Sequence, residues 1–202
     1  MLVLVPTEQE AAPLREAFPA LEVIGVGPVE AALRTSEILR ERQPSLILLC
    51  GLAGAYPATS LSPGDLVLAT EEIFGDLGLC FPMPPGFAPP VEFRVSLRGP
   101  WLEKIQACLS EEGLEAAYGP LVTVCCTSRD PERARLLGHR YAALAENMEG
   151  FAVARAARKA GVPLVELRAV SNLLENPEAP WDTRKALQTL QEALRCLARV
   201  FT

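Results

Sequence analysis

Leu46-Ile47-Leu48-Leu49-Cys50-Gly51-Leu52-Ala53-Gly54 is the stretch that decides the fold. Its unbroken apolar run from Leu46 to Cys50 reads as a strand covered on both faces, as parallel sheets require. Gly51, Ala53 and Gly54 follow at the carboxyl end, where small residues let a ligand approach the backbone. Strand-like and helical patterns alternate on either side of this run. Leu2–Val5 reads as an opening strand, and Glu8–Phe18 has helical spacing up to Pro19. Leu21–Val26 is a second strand, and Gly27-Pro28 then starts a helix with proline in its first position. Downstream, Leu66–Thr70 (running on toward Ile73), Leu121–Cys126 and Pro163–Val170 have strand character. Pro100–Glu112, Pro131–Leu137, Glu149–Ala160 with Gly161 as its stop, and Trp181–Phe201 have helical character. The alternation predicts the α/β class. A single domain over residues 1–202 is expected, with three α/β/α layers and a mixed, mostly parallel central sheet.

Composition narrows the function classes. The chain has 202 residues, half of them apolar, and a formal net charge of −6. An acidic chain without a basic block repels phosphate backbones, so no nucleic-acid partner is expected. The apolar run from Leu46 to Ala55 is half of what a bilayer span needs, so no membrane partner is expected either. Met1–Val5 has no basic residue before it and meets Glu8 soon after, unlike a signal peptide. A soluble, intracellular protein is expected. The six cysteines form no CxxC pair and His139 is the only histidine, so no metal centre is expected. Cys50, Cys125 and Cys126 fall in strand-like apolar runs and read as small hydrophobes, and His139 reads as a surface residue near a helix end. Residues 75–92 contain Phe81-Pro82-Met83-Pro84-Pro85-Gly86-Phe87-Ala88-Pro89-Pro90, which fits neither a helix nor a central strand. Loops of this length within a domain are usually functional or mobile.

Four segments next to predicted strand or helix ends carry unusual polar or glycine chemistry. The first strand runs into Thr7-Glu8-Gln9-Glu10, and the third into Gly51-Leu52-Ala53-Gly54. Asn147-Met148-Glu149-Gly150 opens a helix, and the last strand carries Arg168 and ends in Ser171-Asn172. Each also has a plain structural reading. Glu8 and Glu10 fit a solvated helix face, and Glu149 fits a complement to a helix dipole. Alternation puts Glu166, Arg168 and Val170 on one face, which fits a buried Glu166–Arg168 pair. Gly25-Val26-Gly27 lacks the third glycine of a dinucleotide fingerprint, since position 30 is Glu.

Together with Gly25-Val26-Gly27-Pro28-Val29-Glu30-Ala31-Ala32, Pro63-Gly64-Asp65-Leu66-Val67 and Leu167-Arg168-Ala169-Val170-Ser171-Asn172, these segments resemble the nucleoside phosphorylase/nucleosidase superfamily. The resemblance covers nearly the whole chain. Within the family it is nearest the purine nucleosidases that act on methylthioadenosine and on futalosine. It implies cleavage of an N-glycosidic bond in a small-molecule purine nucleoside, with no cofactor. It further implies that Glu149 accepts hydrogen bonds from the ribose 2′- and 3′-hydroxyls, bonds that strengthen as positive charge develops on the sugar. By the same resemblance Met148 lines the sugar, Glu10 orients and deprotonates the attacking water, and Arg168 shares that water and holds its carboxylate partner. Gly51, Ala53 and Gly54 admit the nucleoside, while Thr127 and Ser128 align loosely with the segment that contacts the purine.

Asn172 is the informative position. Similar nucleosidases that act on adenine-type bases carry aspartic acid there, which hands a proton to N7. An amide instead accepts from a protonated N7 and donates to O6, which favours a 6-oxopurine and rejects a 6-amino group. Among the family's hydrolases this points to those that release hypoxanthine from futalosine, a step of menaquinone biosynthesis. Asp76 and Pro180-Trp181-Asp182 also look like that subgroup. The family's phosphorylases bring arginines to phosphate, but here the corresponding segments read Pro6-Thr7-Glu8-Gln9-Glu10 and Leu49-Cys50-Gly51. Carboxylates in the first repel phosphate and the second offers no cation, which favours water. Leu52 stands where the methylthioadenosine enzymes have a serine touching the water, which leaves its positioning to Glu10, Arg168 and the backbone. Phe81, Met83 and Phe87 suit the aromatic ring of the futalosine tail and Arg94 or Arg98 its carboxylate. The same loop equally suits a subunit contact in a homo-oligomer, a dimer or higher. The alternatives are a methylthioadenosine/adenosylhomocysteine nucleosidase, a purine nucleoside phosphorylase, and a nucleoside sensor without turnover.

Overall fold

The computed structural model describes residues 1–80 and 92–201, without the side chains of 78–80. The apolar run that opens the reading becomes β3 (Ile47–Ala55), which continues through the glycines instead of stopping before them. It does so because β8 (Leu164–Leu173) runs parallel beside it from Ile47↔Leu164 to Ala55↔Leu173, with a bulge that skips Ser171 between Ala53↔Val170 and Gly54↔Asn172. On its far edge β3 also pairs with β1 (Leu2–Val5), which carries the short β2 (Glu22–Val23). β4 (Leu66–Phe74) meets β8 antiparallel at its start and β5 (Arg94–Ser96) antiparallel at its end. Its other edge takes β6 (Ala116–Thr123) in parallel, β6 takes β7 (Ala145–Asn147), and β7 returns antiparallel to β3 at Gly54↔Glu146. The sheet is mixed and mostly parallel, as expected. The periodicity did not foretell that β3, β8, β4, β6 and β7 close into a ring.

Helices cover both faces, giving the expected layers. α1 (Glu8–Leu14), α4 (Pro100–Glu111) and α7 (Thr183–Phe201) bury Leu14, Leu102, Ile105, Leu190 and Leu194 against Leu48, Cys50, Val165 and Leu167. α2 (Pro28–Glu41) and α6 (Gly150–Ala160) bury Ile38 and Val153 against Ile47, Leu49, Val67 and Val170. The alternation along β3 and β8 thus feeds two cores from one strand. α3 (Gly75–Cys80) is a short turn of helix inside the stretch read as a loop. α5 (Pro131–Tyr141) packs a third, smaller cluster with Tyr56, Ile73, Val122 and Leu137. Proline occupies the first turn of α2, α4 and α5, and Gly161, at φ 69°, ends α6 in the left-handed region.

Several boundaries moved. The helix expected to reach Phe18 stops at Leu14, one residue past Pro13. The strand expected over Leu121–Cys126 is β6, which starts at Ala116 and ends at Thr123. Cys125 and Cys126 therefore lie beyond the strand and are exposed, whereas Cys50 is buried. His139 is exposed in the last turn of α5, as expected. Among the described residues no helix is long and apolar enough to cross a membrane. Leu194 sits fully buried between α7 and the sheet. Leu194→Ala is expected to lower unfolding stability by about 2–5 kcal/mol, measured as a reduced midpoint in urea at unchanged slope.

Candidate active site

A cavity of about 330 Å³ opens where β1, β3 and β8 release their carboxyl ends. Its wall takes Thr7 and Glu10 from the start of α1, Leu52–Gly54 from β3, Glu146–Glu149 around β7, and Arg168 and Asn172 from β8. Trp181, Thr183 and Leu187 close it from the segment leading into α7.

Arg168 is the charge at its base. The side chain is 1 % exposed and donates from Nε to Glu166 Oε1 at 2.8 Å and from Nη1 to Glu149 Oε2 at 3.3 Å. Nη1 also reaches the Leu52 carbonyl, and Nη2 the Asn147 Oδ1, both at 3.3 Å. Burial alone would lower its pKa, but the carboxylates of Glu166 and Glu149 raise it above the ordinary guanidinium value. The structural pairing with Glu166 holds, and the same guanidinium also serves Glu149 and lines the cavity.

Glu10 separates from Glu8 in role. Glu8 is exposed and paired to Arg15, the solvated helix face. Glu10 is buried, and accepts from Thr7 Oγ1 at 2.6 Å and from the Leu52 backbone N–H at 2.9 Å. Burial raises its pKa from the ordinary 4.5, against the pull of Thr7, Leu52 and Arg168. Gly51 is what lets the pair approach: a Cβ there would lie 2.5 Å from Arg168 Nη1 and 3.1 Å from Glu10 Oε1.

Glu149 sits at the N-cap of α6 yet makes no side-chain cap bond to that helix. Its Oε1 instead accepts from the Gly27 N–H at 3.1 Å, and Oε2 takes Arg168. The helix start is held by Asn147, whose Oδ1 accepts from the N–H groups of Glu149 at 2.9 Å and Gly150 at 2.7 Å. Asn147 Nδ2 donates in turn to Glu72 Oε1 at 2.6 Å, and Thr123 Oγ1 donates to Glu72 Oε2 at 2.6 Å. Glu72 is fully buried, and burial together with the negative charge of Glu166 pushes its pKa well up, which favours its neutral form. Glu166 Oε2 has no other partner, and a protonated Glu72 gives it a donor. Gly150 leaves the space for this contact, since a Cβ there would meet Glu72 Oε1 and Glu166 Oε1 far inside van der Waals distance.

Asn172, 6 % exposed, accepts from Ser171 Oγ at 2.8 Å, which directs its amide nitrogen toward Gly54. Met148, Ala53, Gly54 and Thr127 line the cavity together with Glu10, Glu149, Arg168 and Asn172. Gly51 lies under the Glu10–Arg168 approach and outside the lining. Ser128 is also set back, 1 % exposed, with its N–H and hydroxyl both tied to Glu146. Asp76 pins the same loop, accepting from the Cys125 N–H at 2.6 Å and from Arg133 at 2.6 Å. Arg94 pairs with Glu71, Arg98 lies over Tyr118, and neither lines the cavity. Phe81, Met83 and Phe87 lie outside the described residues. Glu72, Thr123 and Glu146 went unassigned in the sequence, and Asn147 was quoted at a helix start without a role of its own. Among the described residues no group of three or more His, Cys, Asp or Glu side chains is arranged to hold a metal.

The family model described as the phosphorylase superfamily matches residues 5–202. The chain belongs to that superfamily. A futalosine hydrolase of Thermus thermophilus is 39 % identical over 86 % of this chain and 78 % of its own length. One of Acidothermus cellulolyticus is 34 % identical over 95 % of this chain and 80 % of its own. A 5′-methylthioadenosine/S-adenosylhomocysteine nucleosidase of Geobacillus thermodenitrificans is 31 % identical over 74 % of this chain and 64 % of its own. In fold, a futalosine hydrolase mutant of Helicobacter pylori superposes with TM-score 0.86 at 21 % identity, covering 99 % of this chain and 98 % of that one. The phosphorylase-superfamily fold therefore frames the geometry above. Because burial raises Glu10, a base role for it makes kcat/KM fall as pH drops through a midpoint above 4.5. Glu10→Gln is expected to lower kcat by about 10²–10⁴-fold with KM little changed, measured by steady-state kinetics across pH.

Proposed function

We propose that the chain hydrolyses the N-glycosidic bond of futalosine, releasing hypoxanthine and dehypoxanthine futalosine in menaquinone biosynthesis in the cytoplasm. The observation that carries this reading is the charge of the cavity. Arg168 is the only cation among the described lining residues, and Glu166 and Glu149 already occupy its guanidinium. A phosphate nucleophile would meet the Glu10 and Glu149 carboxylates with no free cation to hold it. Water suits the site, between the raised carboxylate of Glu10 and Arg168. Glu149 and Met148 take the ribose, and the carboxylate opposes the positive charge that grows on the sugar. Asn172 receives the departing base, accepting from N7–H and donating to O6. The futalosine hydrolase relatives support the substrate, and the amide at 172 supports the 6-oxopurine.

The nucleosidase relatives at 31 % identity make methylthioadenosine the second substrate to test. Purified protein is incubated with futalosine, inosine and methylthioadenosine, with and without phosphate, and the bases are separated by chromatography. Hypoxanthine from futalosine, independent of phosphate, is expected. Adenine from methylthioadenosine as the main product, or release only with phosphate, would overturn the reading. Asn172→Asp is expected to shift preference toward 6-amino substrates by about 10-fold or more, read as a ratio of kcat/KM values.

The partner proposed is a second copy of the chain. Val26, Val29 and Leu33 are 50–65 % exposed along the start of α2, and Val26 also lines the cavity. An apolar stripe at the mouth of a site is costly to leave in water. Light scattering on the wild type is expected to give a dimer or larger assembly, and Val29→Glu with Leu33→Glu a monomer.

A further inference from the structure

Cys108 on α4 and Cys196 on α7 lie 88 positions apart in the chain, yet their sulfurs stand 3.1 Å from one another. Both thiols are free and buried, on the faces that the two helices turn to the core. Ile105 and Leu109 flank Cys108 on its helix, and Ala193 and Leu197 flank Cys196. Cys196 Sγ also donates to the Cys108 carbonyl at 3.4 Å, so sulfur and backbone hold the contact together. Packing alone asks only for small hydrophobes at these two positions. Two thiols add the capacity to be joined. An S–S bond needs about 2.05 Å, so the sulfurs must approach by about 1 Å, comparable with the thermal displacement of an ordered atom. A surface groove lined by Glu16, Glu112, Arg195 and Arg199 reaches Cys196. Cys196 is 2 % exposed, which restricts entry to a small oxidant.

We propose that Cys108 and Cys196 form a modification site, a dithiol that hydrogen peroxide oxidises to a disulfide that joins α4 to α7 and stabilises the fold. Cys196, which the groove reaches, attacks one peroxide oxygen; the O–O bond breaks, water leaves, and a sulfenic acid remains. Cys108 then attacks the Cys196 sulfur, the S–O bond breaks and a second water leaves. Two thiols and one peroxide give one disulfide and two waters, with the thiol protons in the water and the peroxide reduced. Burial, and then the hydrogen bond and charge of Cys108, push the Cys196 thiol up to about 12. At neutral pH it keeps its proton and reacts slowly, so the bond forms under sustained oxidation. Once formed, it closes a long loop in the unfolded chain, where a cross-link removes most freedom. α7 begins at the cavity, with Thr183 and Leu187 in the lining, so the bond also secures that wall.

Cys125 and Cys126 are exposed and meet peroxide unhindered, so the test reads which thiols are joined and not how many are lost. Purified protein is held with hydrogen peroxide, digested without reductant and mapped by mass spectrometry. A second portion is melted before and after dithiothreitol. A peptide pair linked through Cys108 and Cys196 is expected, with Tm about 5–15 °C above that of the reduced protein and restored to it by dithiothreitol. Cys108→Ser is expected to show neither the pair nor the shift. A wild type in which Cys196 stays a thiol, or ends as a sulfinic or sulfonic acid with no linked pair, overturns the proposal without needing the variant to fold. A linked pair with no rise in Tm overturns it as well.

Discussion

A guanidinium at 1 % exposure survives folding only where carboxylates engage its donors, and at Arg168 that requirement organises everything around it. Glu166 fixes Nε, Glu149 fixes Nη1, and Asn147 takes Nη2 while also capping the helix that begins at Gly150. Removing one partner of such a pair costs about 3–5 kcal/mol, because the other charge is stranded in the interior. Burial and the neighbouring charge of Glu166 push the Glu72 pKa well up, which favours its neutral form. Glu72 and Glu166 lie beneath the base of the cavity, while Glu10 and Glu149 face it.

That arrangement suits chemistry in which positive charge appears on the substrate. Fixed acceptors aimed at a developing cation need no reorganisation when it forms, which is the main advantage of a buried polar site over water. The backbone supplies the rest. Gly51 admits Arg168 Nη1 and Glu10 to one point, and Gly150 admits Glu72 and Glu166 to another. Leu52 offers its N–H to Glu10 and its carbonyl to Arg168, so its apolar side chain takes no part in holding either group.

Much of this was legible in the sequence, for identifiable reasons. The unbroken run at 46–50 and the alternation at 164–170 are long enough to reveal buried strands, and they predict the face shared by Glu166 and Arg168 correctly. Glu10, Arg168, Asn172, Glu149 and Met148 could be singled out because each lies within a motif at or near a strand or helix end, and the fold brings them to one cavity. β5 and β7 have three residues each, too few for any periodicity, so the closing of the ring and the place of Glu146 depend on pairings between distant segments. Ser128 and Gly51 read as lining residues because proximity in the chain does not tell which side of a wall a residue stands on. Asn147 was quoted without a role, since its importance comes from its many partners and not from its neighbours.

The cavity draws Thr7 and Glu10 from the first turn after β1, and Trp181, Thr183 and Leu187 from the segment entering α7. No early portion of the chain can therefore contain a working pocket. During synthesis the Glu10 carboxylate at the start of α1 must wait, hydrated, until the final helix emerges and closes the cavity over it. Long-range closure of this kind delays folding relative to local helix formation. It also means that a nucleoside bound in the cavity ties the two ends of the chain together, so occupancy feeds directly into resistance to unfolding and to proteases.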